Sequence, residues 1–268
     1  MREYFYTEKG ISYRTNDFKP GQLTLVFIHG VSSSSSAWFE FEEIFEKQYN
    51  VLTYDIRGHG KSLKYPKSSD YEIKNFADDL FDLLKYVGVQ KCVLISHSFG
   101  TFVAREFLVE HQDLLSGVIF LSPGMSMANK VTSKVARVIL SLARIFELFP
   151  LGRKTASRVD YIKYKGTGEF SLSRFWADVS RTGLRAYLFS IARIYYFDRD
   201  DFLEKIDIPT LIIHGKKDTY ISINDSLVKE KIKNSEFVIL ENANHIIVLN
   251  NVKEVADAIS GFIQKIKF

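Results

Sequence analysis

The sequence predicts an α/β protein, a mostly parallel sheet covered by helices and interrupted once by a helical insertion. Three observations predict it. Short runs that are apolar without alternation recur along the chain, as strands buried on both faces require. Helix-length amphipathic stretches separate them, the rhythm of a parallel sheet with helical crossovers. After the run that ends at Ser122 this rhythm stops until Thr210, too long a gap for a simple loop in a compact domain.

Taken in order, residues 3–15 (EYFYTEKGISYRT) read as an antiparallel hairpin turning at Lys9-Gly10. The buried runs follow: LTLVFI (Leu23–Ile28), VLTYD (Val51–Asp55), KCVLIS (Lys91–Ser96), GVIFLS (Gly117–Ser122), TLIIHG (Thr210–Gly215) and EFVILE (Glu236–Glu241). Between the second and third, Ile73, Phe76, Leu80, Leu83 and Leu84 share one helical face. TFVAREFLVEH after Ser98 is helical in pattern, and residues 252–266 read as a last helix. The chain thus divides into a first part of the core (1–124), a helical insertion (125–200) and a second part of the core (201–268).

With 268 residues, 46% hydrophobic and 25% charged, the chain has the balance of a globular protein able to bury a core unaided. Its single cysteine, Cys92, excludes an intramolecular disulfide and any cysteine metal cage. Inside the apolar run CVLIS it reads as a buried, inert thiol. The opening MREYFYTEKG lacks the apolar stretch of a secretory signal, and no run reaches the ~18 apolar residues that span a bilayer. A soluble, cytoplasmic protein is expected. The net charge of +4 makes no case for a nucleic-acid partner. Its distribution is uneven, because residues 126–200 hold 14 Lys and Arg against 6 Asp and Glu.

Chemistry first shows at Ser98. In Ser96-His97-Ser98-Phe99-Gly100 a strand runs straight into a helix through a serine, the setting of a nucleophile elbow. The motif alone is equally a serine N-cap. A serine nucleophile needs a base, and the base an orienting carboxylate. His245, in ENANHIIV, follows the last strand. His29, His59 and His214 stand at strand ends and read as loop fasteners, His97 points away from an elbow, and His111 closes a helix in solvent. Asp218, in HGKKDTYIS, ends a strand; its plainer reading is a helix cap. The segment after GVIFLS carries no carboxylate, which leaves Asp218 as the acid. Two donors for an oxyanion are expected at the backbone N–H groups of Phe99 and Val31, the latter in the serine-rich loop after LTLVFI.

HGVSSSSSAW, YDIRGHGKS, SHSFG, HGKKD and NANH, in this order and spacing, resemble the successive signatures of the α/β-hydrolase superfamily across nearly the whole chain. The resemblance implies an eight-stranded, mostly parallel sheet, a helical cap after strand six and no cofactor. It assigns Ser98, Asp218 and His245 to a catalytic triad and Val31 and Phe99 to the oxyanion hole. Ser96 stands where the first elbow glycine is usual, and Asn244 where a glycine often precedes the histidine. A serine nucleophile argues against epoxide hydrolases and haloalkane dehalogenases, which use aspartate. Phe99 stands where the prolyl-aminopeptidase branch typically has Trp. Carboxylic ester hydrolysis is the leading expectation, ahead of carbon–carbon bond hydrolysis, enol-lactone hydrolysis and a ligand-binding receptor.

The insertion bears on substrate. Residues between Met125 and Asp200 are expected to line the pocket, with Phe170, Phe175, Trp176, Tyr187, Phe189, Tyr195, Tyr196 and Phe197 as aromatic wall, which suits a small apolar acyl or aromatic ester. Val135, Val138, Ile139, Leu142, Ile145, Phe146 and Phe149 share a helical face opposite Arg137 and Arg144. The plain expectation is that this face packs on the core; the sharper one is peripheral contact with anionic lipid.

Overall fold

The computed structural model describes residues 1–124, 130–149, 157–221 and 231–266. One eight-stranded sheet runs in the order β1-β2-β4-β3-β5-β6-β7-β8. β1 (Arg2–Tyr6) and β2 (Ile11–Thr15) form the expected hairpin, and β2 pairs antiparallel with β4 (Asn50–Tyr54). β3 (Thr24–Ile28), β5 (Cys92–His97), β6 (Leu115–Leu121), β7 (Thr210–Gly215) and β8 (Ser235–Leu240) complete a parallel array with β4.

Both faces are covered, which is why the strands read as unbroken apolar runs. Val26, Ile28, Leu52 and Leu94 point into one core with α2 (Ile73–Val87) and α3 (Phe99–His111). Leu25, Phe27, Val51 and Ile95 point into the other, with α1 (Phe39–Phe45) and the C-terminal helix. Cys92 is buried, and burial pushes its thiol up to about 12.

β3 lies between β4 and β5, so the crossovers β3→β4 and β4→β5 run in opposite directions across the sheet. Such a reversal leaves a crevice at the carboxyl ends of β3 and β5. The serine-rich loop and the Ser98 turn leave the sheet at those two ends.

Between β6 and β7 the described residues form α4 (Lys130–Ala143), α5 (Leu172–Thr182) and α6 (Leu184–Ile194). The last helix is shorter than expected and preceded by a separate turn, α7 (Ile247–Asn250) and α8 (Val252–Ile263). Two arginines of this segment fasten it to the core. Arg158 bonds Asp55 through Nε at 2.9 Å and reaches Glu3 and Ser12. Arg193 donates to Ser68 O at 2.7 Å.

The apolar stripe departs from the plain expectation. Val135, Val138, Leu142, Ile145 and Phe149 are exposed, while Leu140 and Ala143 are buried. The helix packs through Leu140 and Ala143 and turns Val135, Val138 and Leu142 outward. Among the described residues no helix is long and apolar enough to cross a membrane.

Candidate active site

At the end of β5 the chain turns sharply. Ser98 takes φ 52° and ψ −117°, and α3 begins at the next residue. A non-glycine residue at positive φ costs about 1–3 kcal/mol and persists where its surroundings hold it. Here Ser98 N–H donates to Leu121 O at 3.0 Å, and Thr101 Oγ1 donates to Ser98 O at 2.7 Å. Position 100 must be glycine because a Cβ there would lie 2.6 Å from Ile28 O. Position 96 is under no such limit; the Ser96 hydroxyl donates to Ile119 O at 3.2 Å inside the sheet.

The structure brings the three expected side chains together in one line. Ser98 Oγ donates to His245 Nε2 at 2.9 Å, and His245 Nδ1–H donates to Asp218 Oδ2 at 2.8 Å. Asp218 also meets its plainer reading, since Oδ1 accepts Tyr220 N–H at 3.0 Å and Ile221 N–H at 2.9 Å. Burial pushes the Asp218 carboxyl up, but the hydrogen bond and charge of His245, the Ile221 N–H and His214 outweigh it and hold the group below the usual carboxylate range. The loops carrying Asp218 and His245 touch closely. Gly215 at the end of β7 is forced, because a Cβ would sit 2.5 Å from Ala243 O. Asn244, in place of a glycine, caps its own turn by accepting Ile246 N–H at 3.0 Å.

The other histidines are structural, as expected, with one difference. His29 donates through Nδ1 to Gly30 O at 2.8 Å and accepts Ile56 N–H at Nε2. His59 donates to Arg57 O, His214 to Ile221 O, and His97 Nε2–H to His245 O at 2.9 Å. Burial lowers His97 to about 3, so it remains a neutral donor beneath His245. His111 is not merely solvated; its ring stacks on Phe81 at 4.1 Å.

The serine-rich loop is a buried wall. Ser34, Ser35 and Ser36 are buried, Ser35 N–H donates to Asp55 Oδ1 at 2.7 Å, and Ser36 Oγ donates to Val159 O at 2.7 Å. Val31 lines the cavity in front of Ser98, and Phe99 opens α3. Neither backbone N–H donates a hydrogen bond among the described residues.

That cavity measures about 460 Å³ and is mainly apolar. Of the aromatic residues expected on its wall, Phe170, Phe175, Tyr187 and Tyr195 line it. Phe189 and Phe197 are buried in the core instead, Tyr196 packs against that core, and Trp176 is exposed. The sequence reading missed Glu169. This buried carboxylate from the insertion accepts His245 N–H at 2.5 Å, Thr219 N–H at 3.3 Å and the Thr219 hydroxyl. It thereby holds the Asp218 loop and the His245 loop at once. Among the described residues no cluster of three or more His, Cys, Asp or Glu is arranged to hold a metal ion.

Sheet order, crevice and elbow together define a protein class. The chain belongs to the α/β-hydrolase fold family, whose model matches residues 24–252. Among individual proteins it is similar to the non-heme chloroperoxidase CPO-A1 of Kitasatospora aureofaciens, 27% identical over 258 residues that cover 89% of this chain and 90% of that one. It is also similar to the proline iminopeptidase of Saccharolobus solfataricus, 27% identical over 99% of this chain and 98% of that one. In fold it resembles the structure of a thermophilic esterase from Thermogutta terrifontis, with a TM-score of 0.73 at 22% identity over 95% of this chain and 94% of that one.

Proposed function

We propose that this protein is a serine hydrolase cleaving carboxylic esters of apolar acyl or aromatic groups through an acyl-enzyme at Ser98. The observation that carries the reading is the unbroken line Asp218–His245–Ser98 at the wall of a mainly apolar cavity. Ser98 Oγ attacks the ester carbonyl while His245 Nε2 takes its proton, and Asp218 stabilises the imidazolium. The Val31 and Phe99 N–H groups receive the oxyanion. Collapse expels the alkoxide, protonated by His245; a water that His245 deprotonates then releases the acid and restores Ser98. A panel of p-nitrophenyl esters from acetyl to palmitoyl tests this reading. Turnover lost in Ser98→Ala is expected, and a wild type that cleaves none of them would favour a binding role.

We propose in addition that the insertion, acting as a cap, meets anionic lipid surfaces. Two features support it: the outward apolar stripe of α4 and the exposed Lys134, Arg137 and Arg144 along one side of it.

A further inference from the structure

One carboxylate on the cavity wall keeps an oxygen that no described residue bonds. Asp178, on α5, is 9% exposed. Its Oδ1 accepts the Tyr161 hydroxyl proton at 2.7 Å, and among the described residues its Oδ2 accepts no hydrogen bond. Having given its proton to Asp178, Tyr161 OH can only accept from Ser33 Oγ, 3.0 Å away. Ser33 lies two residues beyond Val31, and all three side chains line the cavity together with Ser98 and His245. Buried carboxylates are normally satisfied at both oxygens, so an open one facing a pocket is an acceptor awaiting a donor. Burial outweighs Tyr161 and Arg174, which draw the Asp178 carboxyl down, and leaves it raised to about 6, still below neutral pH.

We propose that Asp178, with Tyr161 and Ser33 beside it, is a specificity subsite for a neutral hydrogen-bond donor, a hydroxyl group that the substrate carries away from its scissile bond. The inference rests on reading this cavity as the ester pocket. The need for a donor follows from the acceptor, since an ionised carboxylate accepts only. Neutrality follows from Arg174, one turn earlier on the same helix. Arg174 is buried, lines the same cavity and donates to Thr167 Oγ1, Gly168 O and Glu169 O, all neutral oxygens. Its charge therefore balances Asp178 through space without occupying Oδ2. A substrate ammonium would crowd that guanidinium, a carboxylate would be repelled by Asp178, and a plain alkyl group would leave Oδ2 desolvated and unpaired. Sites built to bond a hydroxyl reject the analogue lacking it far more strongly than apolar pockets reject a missing methylene.

Matched p-nitrophenyl acyl esters in three forms, plain, ω-hydroxy and ω-amino, test the subsite across chain lengths. The wild type is expected to favour the hydroxy form in kcat/KM by tenfold or more at one or more lengths, with the amino form below it. Asp178→Ala should abolish the preference while retaining turnover of the plain ester. Asp178→Asn keeps shape and the acceptor for Tyr161 but turns an NH2 toward the cavity, which a hydroxyl can meet only as acceptor, so with an unchanged melting temperature a matched ω-methoxy ester should gain on the hydroxy ester relative to wild type. Equal treatment of hydroxy and plain esters by the wild type at every length overturns the subsite. So does an equal fall for both in Asp178→Ala, which would mark Asp178 as a structural tie. An amino preference overturns the neutral-donor assignment. Calorimetric binding of uncleaved hydroxyalkanamides against plain alkanamides decides the subsite separately if no ester is turned over, an outcome that counts against the ester reading instead.

Discussion

Glu169 is a single side chain on which the geometry of two loops depends. Its carboxylate receives donors from Thr219, next to Asp218, and from the backbone of His245, so shortening it frees both ends of the candidate triad. Displacements of about 1 Å at such sites cost ~10²-fold in rate. Glu169→Ala is expected to lower kcat on a short soluble ester by about that factor with little change in KM. Glu169→Gln should restore much of it, because its Oε1 can still accept the His245 and Thr219 N–H groups while its NH2 donates to the Thr219 hydroxyl. An unchanged kcat in both variants would reduce Glu169 to packing. The triad side chains carry heavier expectations: His245→Ala and Asp218→Asn should each lose ~10⁴-fold in kcat. Ser98, Asp218 and His245 were legible because each stands at a strand end in a fixed chain order. Glu169 was not, because its partners lie 50 and 76 residues away and nothing in GTGEF marks them.

Among elements, α4 shows what periodicity can and cannot tell. The spacing of Val135, Val138, Leu142 and Ile145 identified a helix with one apolar side, yet periodicity is silent on which side meets the core. Leu140 and Ala143 face inward instead. The strands escaped this ambiguity because they are buried on both faces, and their observed limits lie close to the apolar runs. The wall aromatics were harder to place, since Phe189 differs from Tyr187 on α6 only in helical phase and Phe197 lies beyond that helix's end. An outward stripe beside cations should bind vesicles. Wild type is expected to float with vesicles containing phosphatidylglycerol and not with pure phosphatidylcholine, and salt should weaken the binding. Leu142→Glu with Ile145→Glu, or Lys134→Glu with Arg137→Glu, should release it without altering turnover of a short soluble ester. Indifference to anionic vesicles at low salt overturns the lipid reading, and self-association abolished by Leu142→Glu would instead assign the stripe to a second copy of the chain.

For the whole molecule, buried histidines set an acid limit on stability. Burial holds His29 down to about 4 and His59 and His97 down to about 3. In the unfolded chain imidazole titrates near ~6.5, so below that pH the unfolded form binds protons that the folded form refuses. Their contribution is complete above about 6.5 and is lost as the pH falls toward the folded values. Asp178, raised by burial to about 6, works the other way, as does Asp79, raised by its own burial. Three histidines are expected to prevail, lowering the urea midpoint between pH 7 and pH 5. Each proton contributes about 1.4 kcal/mol per pH unit, and His59→Asn should flatten the slope by about that amount. A slope unaltered in that variant would mean that His59 is already charged in the fold.

If Ser98 is a nucleophile activated by His245 and Asp218, covalent capture should find it. Intact-mass and peptide analysis after treatment with a fluorophosphonate is expected to show one adduct per chain, on Ser98, with none formed on Ser98→Ala and slow formation on His245→Ala. An adduct on another residue, or undiminished labelling of Ser98→Ala, would contradict the account.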